Sequence, residues 1–197
     1  MAKTAVFGGT FNPFHNGHLE IVLSLLKQPH VDNVLIVPTA TPPHKEAYQL
    51  VSGEDRLNMC QAAVANLENV SVSDIEIKRG GKSYTYDTVC QLKSCLNTDI
   101  AITCGADMIT GLHTWYRYAD LIKEVSVIAF RRVGVDGDDF DNAVERLRCD
   151  GATVSVIDCD ITDISSTRIR NGEFTAVPQP VYEYIMQNNL YGVCNDD

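Results

Sequence analysis

Two histidines three residues apart, His15 and His18, close the stretch GGTFNPFHNGH that runs from Gly8 to His18. Imidazoles so placed have three uses: half of a metal site, incidental polar groups in a turn, or part of a cradle for phosphate. The metal reading asks for two histidines at i and i+4 on one helical face with a carboxylate nearby, as in HExxH. Here the spacing is i, i+3 and His15 precedes the helical pattern, so that reading is weak. The phosphate reading has more physics behind it. Gly8 and Gly9 stand where the backbone must turn sharply and come close to a ligand. Asn16 and Gly17 lead into a helix whose first amides lack partners and whose dipole favours an anion. Phosphate favours the cationic imidazole, and even a neutral ring can donate a hydrogen bond. Taken alone, the stretch also fits a purely structural turn.

A second anion-friendly segment, ISSTRIR, spans Ile164–Arg170. Ser165, Ser166 and Thr167 open a helix and offer hydroxyls and first-turn amides. A guanidinium fork such as that of Arg170 suits phosphate oxygens. Alone, this is an N-cap with two surface arginines. Lys45 shares a proline-stiffened loop with His44. Asp107 follows Gly105-Ala106 at a strand's carboxyl end, where meeting a ligand and capping the next turn are compatible uses. Arg131 and Arg132 end a strand, and the single tryptophan, Trp115, lies among polar neighbours in HTWYRY.

The elements that must position these groups read as β-α-β-α. Strands are expected at Thr4–Phe7, Val34–Val37, Val70–Ile77, Ile100–Cys104, Val125–Phe130 and Val154–Asp158. Helices are expected at His18–Lys27, from Ser52 to about Leu67, Tyr86–Leu96, around Met108–Ile109, Ala119–Lys123, Phe140–Cys149, and beginning near Ser165 and Pro178. Short, continuously apolar strands imply burial on both faces, as in a parallel sheet flanked by helices. Ligands in such sheets bind outside the carboxyl ends of the strands. The segments that follow strands, 8–18, 38–45, 105–107, 130–132 and 164–170, are also those richest in Gly, His, Lys, Arg and Ser/Thr. The expected fold is α/β: a Rossmann-like, doubly wound parallel sheet in one domain over residues 1–197, with 164–197 as its small C-terminal helical cap.

A net charge of −10 over 197 residues excludes a protein that wraps nucleic acid, yet leaves room for a local anion site. The N-terminus lacks the apolar run of a signal peptide, and the longest apolar stretches are too short to span a bilayer, which places the chain in the cytoplasm and off the membrane. Seven scattered cysteines without a Cys-x-x-Cys pair argue for reduced thiols and against a zinc site. The oligomeric state is left open, a homo-oligomer included.

GGTFNPFHNGHL resembles the GGxFxPxHxGH signature of the HxGH nucleotidyltransferases, and ISSTRIR resembles their ISSTxxR signature. TPPHK (Thr41–Lys45), SYTYDT (Ser83–Thr88), GADM (Gly105–Met108), TWYRYADLI (Thr114–Ile122), RRVG (Arg131–Gly134) and VPQPVYEYIMQNNLYG (Val177–Gly192) extend the likeness to bacterial nicotinate-nucleotide adenylyltransferases over nearly the whole chain. The resemblance implies adenylyl transfer from ATP to nicotinic acid mononucleotide with Mg²⁺. It implies His15, His18, Lys45 and Arg170 as catalytic groups. For ATP it implies Gly8, Gly9, Thr10, Phe11, His15, His18, Gly105, Asp107, Arg132, Ile164, Ser165, Ser166 and Thr167. For the nicotinate nucleotide it implies Thr10, Lys45, Thr85, Tyr86, Asp87 and Trp115, with Trp115 as a shelf for the pyridine ring and the 85–87 amides facing its carboxylate. No protein cage for Mg²⁺ is expected, since phosphates and water can hold it. Where the family often has Asp, this chain has Asn12, a near-isostere not expected to change the reaction. Rival readings are another phosphate-ester acceptor (nicotinamide mononucleotide or phosphopantetheine), a nucleotide-binding regulator without turnover, and a metal hydrolase.

Overall fold

The computed structural model describes residues 3–41, 50–132, 134–159 and 164–193. Its elements in chain order are β1 (Lys3–Gly9), α1 (Asn16–Leu26), β2 (Asn33–Pro38), α2 (Gly53–Val64), β3 (Val70–Val72), α3 (Ile75–Arg79), α4 (Thr85–Cys95), β4 (Asp99–Gly105), α5 (Ala106–Gly111), α6 (Tyr118–Glu124), β5 (Ser126–Arg132), α7 (Asp138–Cys149), β6 (Thr153–Cys159), α8 (Ser166–Arg170) and α9 (Gln179–Gln187). The strands form one six-stranded sheet in the order β3-β2-β1-β4-β5-β6, every pairing parallel. This is the expected α/β Rossmann-like architecture. The chain reverses direction across the sheet between β1 and β4, so a crevice opens where their carboxyl ends, Gly9 and Gly105, diverge.

Strand alternation divides the apolar side chains between two layers. Val6, Val37, Ile100, Ile102 and Val127 pack against Val89 and Leu92 of α4, Leu121 of α6 and Val144 and Leu147 of α7. On the other face, Phe7, Ile36, Ala101, Ile128 and Phe130 meet Val22 and Leu25 of α1 and Cys60 and Val64 of α2. A third cluster joins Met59 of α2 to Ile169, Val177, Val181 and Ile185, so the C-terminal helices dock on α2. Burial of each such aliphatic side chain contributes roughly 1.5–3 kcal/mol, enough to hold α8 and α9 beside the sheet. Among the described residues no helix is long and apolar enough to cross a membrane.

One expected strand is corrected. Val70–Ile77 is not continuous: β3 ends at Val72 and α3 begins at Ile75. Asp74 starts that helix, its carboxylate lies 2.9 Å from Lys78, and Gly80 at φ 67° ends it. Helix α1 also begins earlier than expected, at Asn16, because His15 itself is the N-cap.

Candidate active site: a phosphate cradle at the strand ends

His15 takes an extended backbone (φ −138°, ψ 172°) and caps α1 with its ring. Its Nδ1 accepts from the His18 amide at 3.3 Å, and the Nδ1 of His18 accepts from the His15 amide at 3.2 Å. This reciprocal arrangement is a capping box built from two imidazoles. The rings stack at 3.6 Å, and the His18 ring is ringed by Phe7, Phe11 and Phe14. Because both Nδ1 atoms accept, each ring when neutral carries its proton on Nε2, which makes it a donor there. His15 is 7% exposed. Burial drives its pKa down from 6.5 to about 4, against a smaller opposing pull from Glu20. His15 is therefore neutral at pH 7, and the cationic form favoured by phosphate is not its resting state. A metal ion would have to displace a backbone amide from Nδ1, and among the described residues no group of three His, Cys, Asp or Glu could hold one.

The two glycines of the opening motif differ in purpose. A Cβ on Gly9 would strike the Phe11 ring at 2.8 Å, so packing requires that glycine. A Cβ on Gly8 would meet nothing within 4 Å, so Gly8 borders open space at the crevice. Phe11 holds φ 49° and folds its ring back over Gly9. Neither α1 nor α8 has an acidic residue in its first turn, which keeps negative charge away from their amides.

Side chains of the second motif sew the chain ends together. Ser166 Oγ donates to the Pro13 carbonyl at 3.2 Å, and Arg170 Nη1 donates to the Asn12 carbonyl at 2.8 Å. Arg170 Nη2 also donates to Thr167 Oγ1 at 3.3 Å, and its Nε is buried with no partner among the described residues. Ser165 caps α8 by accepting from the Arg168 amide. With only five residues, α8 supplies little dipole, so its contribution rests on individual amides, hydroxyls and Arg170. Beside it a cleft of about 350 Å³ is lined by Asn16, Glu20, Ile164, Arg168, Ile169 and Glu173 among others, so Ile164 and the start of α1 share a wall.

Gly105 is the N-cap of α5, and Asp107 lies exposed in its first turn at the carboxyl end of β4, so the capping use of Asp107 does not hold. Arg132 is engaged by Asp136, whose carboxylate accepts from the Arg132 amide at 2.6 Å and its guanidinium at 3.0 Å. Burial would raise the Asp136 pKa, but these contacts outweigh it and leave the pKa below its usual value. Arg131 instead pairs with Asp158 and Asp141. Thr85, Tyr86 and Asp87 form the first turn of α4, and no side chain caps that helix. Trp115 is half-buried on the apolar layer that also takes in Tyr86 and Met108. The Arg117 guanidinium lies 4.2 Å over the Tyr86 ring, and Tyr84 meets Tyr116 at 4.6 Å. Lys45 and His44 lie outside the described residues.

Sequence reasoning missed Arg56, Tyr191 and Glu76. Arg56 is 1% exposed and donates to four backbone carbonyls. The Tyr191 hydroxyl donates to Asn12 Oδ1 at 2.8 Å, and the same oxygen accepts from the Val51 amide at 3.3 Å. Asn12 thus braces the loop from inside. Buried Glu76 accepts at 2.6 Å from Thr88, the residue after the first turn of α4, and so braces the start of that helix. The Ser-x-x-Asp pattern at Ser52 was visible in the sequence, but nothing there distinguished Arg56 from any other helix cation.

An all-parallel sheet with an imidazole-capped helix and a second motif laced to it defines a nucleotide-handling α/β protein. The cytidylyltransferase-like family matches the chain over residues 6–172. A probable nicotinate-nucleotide adenylyltransferase of Clostridium tetani is 32% identical over 97% of this chain and 100% of its own length. Another, from Carboxydothermus hydrogenoformans, is 36% identical over 96% of this chain and 98% of its own. The chain belongs to the cytidylyltransferase-like family and, within it, to the nicotinate-nucleotide adenylyltransferases. A structure of the Plasmodium falciparum nicotinic acid mononucleotide adenylyltransferase complexed with NaAD superimposes with a TM-score of 0.79 over 98% of both chains at 19% identity, a likeness of fold.

Proposed function

We propose that this protein transfers the adenylyl group of ATP to nicotinic acid mononucleotide, giving nicotinic acid adenine dinucleotide and pyrophosphate. The observation that carries the reading is the lacing of the two motifs, Ser166 to Pro13 and Arg170 to Asn12, which gathers two sets of phosphate-suited donors at one crevice. A phosphate oxygen of the mononucleotide attacks the α-phosphorus of ATP in line. The bond from that phosphorus to the bridging oxygen breaks, and pyrophosphate leaves with the electron pair. The attacking oxygen is already anionic near neutral pH, so the work is positioning and charge stabilisation. The Nε2–H groups of His15 and His18 donate to phosphate oxygens, most strongly as charge shifts during transfer. Gly8, Gly9, Thr10 and Phe11 line the approach, and Ser165, Ser166, Thr167, Arg170 and Lys45 hold the β- and γ-phosphates. The cleft beside Ile164 takes the adenosine end, with Gly105, Asp107 and Arg132 toward its ribose and phosphates.

The uncapped first turn of α4, residues 85–87, receives the nicotinate carboxylate, with Trp115 beside the ring. A carboxamide would bring a donor where the site offers donors, leaving groups unpaired. The donors at the cradle are N–H and O–H groups, which hold phosphate rather than a cation. Mg²⁺ would accordingly be bound by triphosphate oxygens and water, offsetting charge on the departing pyrophosphate. The docking of α8 and α9 on α2 supports a single domain, and we infer a cytoplasmic location. Pyrophosphate release from ATP with Mg²⁺ and each acceptor in turn tests the reading. Nicotinic acid mononucleotide should be the preferred acceptor, and equal turnover with nicotinamide mononucleotide or phosphopantetheine would refute the specificity.

A further inference from the structure

Arg56 lies outside every motif discussed above, yet it binds more backbone than any other side chain described at this end of the sheet. Its Nη1 donates to the carbonyls of Thr10 at 3.0 Å and Thr39 at 2.6 Å, its Nη2 to Ala40 at 3.1 Å, and its Nε to Val51 at 3.4 Å. Thr10 follows β1, Thr39 and Ala40 follow β2, and Val51 leads into α2. One guanidinium thus ties three chain segments at one point, a task that needs its planar fork of donors. At 1% exposure it is buried, and among the described residues no carboxylate lies within ion-pair distance. A buried cation without an anion is costly to keep for packing alone, and four carbonyl dipoles offset only part of that cost.

The contact with Thr10 bears on the cradle. In a trans peptide the C=O and N–H point in opposite directions. Arg56 pulls the Thr10 carbonyl inward, so the N–H of Phe11 is turned away from it. That N–H has no acceptor among the described residues, although Phe11 is 2% exposed. The next carbonyl along, Asn12, is drawn to Arg170. We propose that Arg56 is a positioning residue that turns the Thr10–Phe11 peptide so that the Phe11 amide donates to the triphosphate. Arg56 itself does not touch substrate. The inference rests on the adenylyl-transfer reading for its ligand, but only on the triphosphate part of it.

The test uses the full-length chain with Arg56→Lys, which keeps the charge and loses the fork, and Arg56→Gln, which keeps two donors and loses the charge. Calorimetry with inorganic tripolyphosphate reads the cradle without reference to the acceptor, at a temperature where circular dichroism shows each variant folded. Both variants are expected to bind tripolyphosphate at least tenfold more weakly than the unaltered protein. They should also lower kcat by tenfold or more, with KM for the mononucleotide within about threefold. In Arg56→Ala, millimolar guanidinium should restore part of the binding and methylammonium should not. Lysine and glutamine variants that bind tripolyphosphate as tightly as the unaltered protein overturn the inference, as does an unaltered protein that fails to bind it. Normal tripolyphosphate binding without turnover of nicotinic acid mononucleotide overturns the acceptor reading alone.

Discussion

Burial of His15 makes the stability of this protein fall in mild acid, and replacing that one ring should remove the effect. The imidazole has a pKa of about 4 when folded and about 6.5 when exposed in the unfolded chain. As pH falls, the unfolded state takes up the proton first. Stability from this group is complete above pH 6.5, declines below it, and is gone near pH 4. A shift of 2.5 units corresponds to about 3 kcal/mol in full, of which about 2 kcal/mol is lost between pH 7 and pH 5. The lowered carboxylates Asp136 and Asp158 do not confuse this window, because their unfolded forms titrate near 3.8. The comparison is His15→Asn, since Asn can still cap α1 through its side-chain oxygen. Urea unfolding at pH 7, 6 and 5 should show the unaltered protein losing about 2 kcal/mol more than the variant. In thermal melts that is about 4–8 °C for a chain of this size. Parallel losses in the two proteins would refute the buried neutral imidazole at His15.

Replacing His18 with Ala removes an Nε2–H donor and the stack on His15, and pyrophosphate release should fall by about 10²–10³ if that donor meets the transferring phosphoryl group; near-normal turnover in a folded variant would sink its role. Asn12→Asp keeps the oxygen that accepts from Tyr191 and Val51, so turnover should stay within about threefold, and a larger loss would show that the carboxamide acts on substrate. Ser166→Ala should cost about 1 kcal/mol in urea unfolding through loss of the bond to Pro13. Trp115→Ala should raise KM for the nicotinate nucleotide about 2- to 10-fold while KM for ATP holds, and an unchanged KM would leave Trp115 a packing residue.

How much of this was legible beforehand follows from what local sequence can encode. The sheet could be read because its strands are short apolar runs, four of them ended by Gly, Pro or Arg, and the cradle because its residues crowd the segments after those runs. The spacing of His15 and His18 was visible too, but not its purpose. Only the three-dimensional turn shows that the rings cap each other's amides, which commits each Nδ1 and leaves Nε2 as the donor. The misread strand after Val70 had its own warning: Asp74, then Lys78-Arg79 and Gly80-Gly81, is a helix start and stop at minimal length. Alternating Val70, Val72 and the later Ile75 and Ile77 outweighed it. Arg56 gave no warning at all. Its helix carries Glu54 and Asp55 in the first turn, and a cation one residue beyond them reads as part of a solvated face. What makes it different is the convergence of Thr10, Thr39, Ala40 and Val51, up to 46 residues away in the chain. Backbone carbonyls have no sequence signature, so a side chain whose partners are all carbonyls is invisible until the strand ends are brought together. The catalytic motifs of such a protein can therefore be read from its sequence, while the residue that aims the backbone of the motif has to be found in the fold.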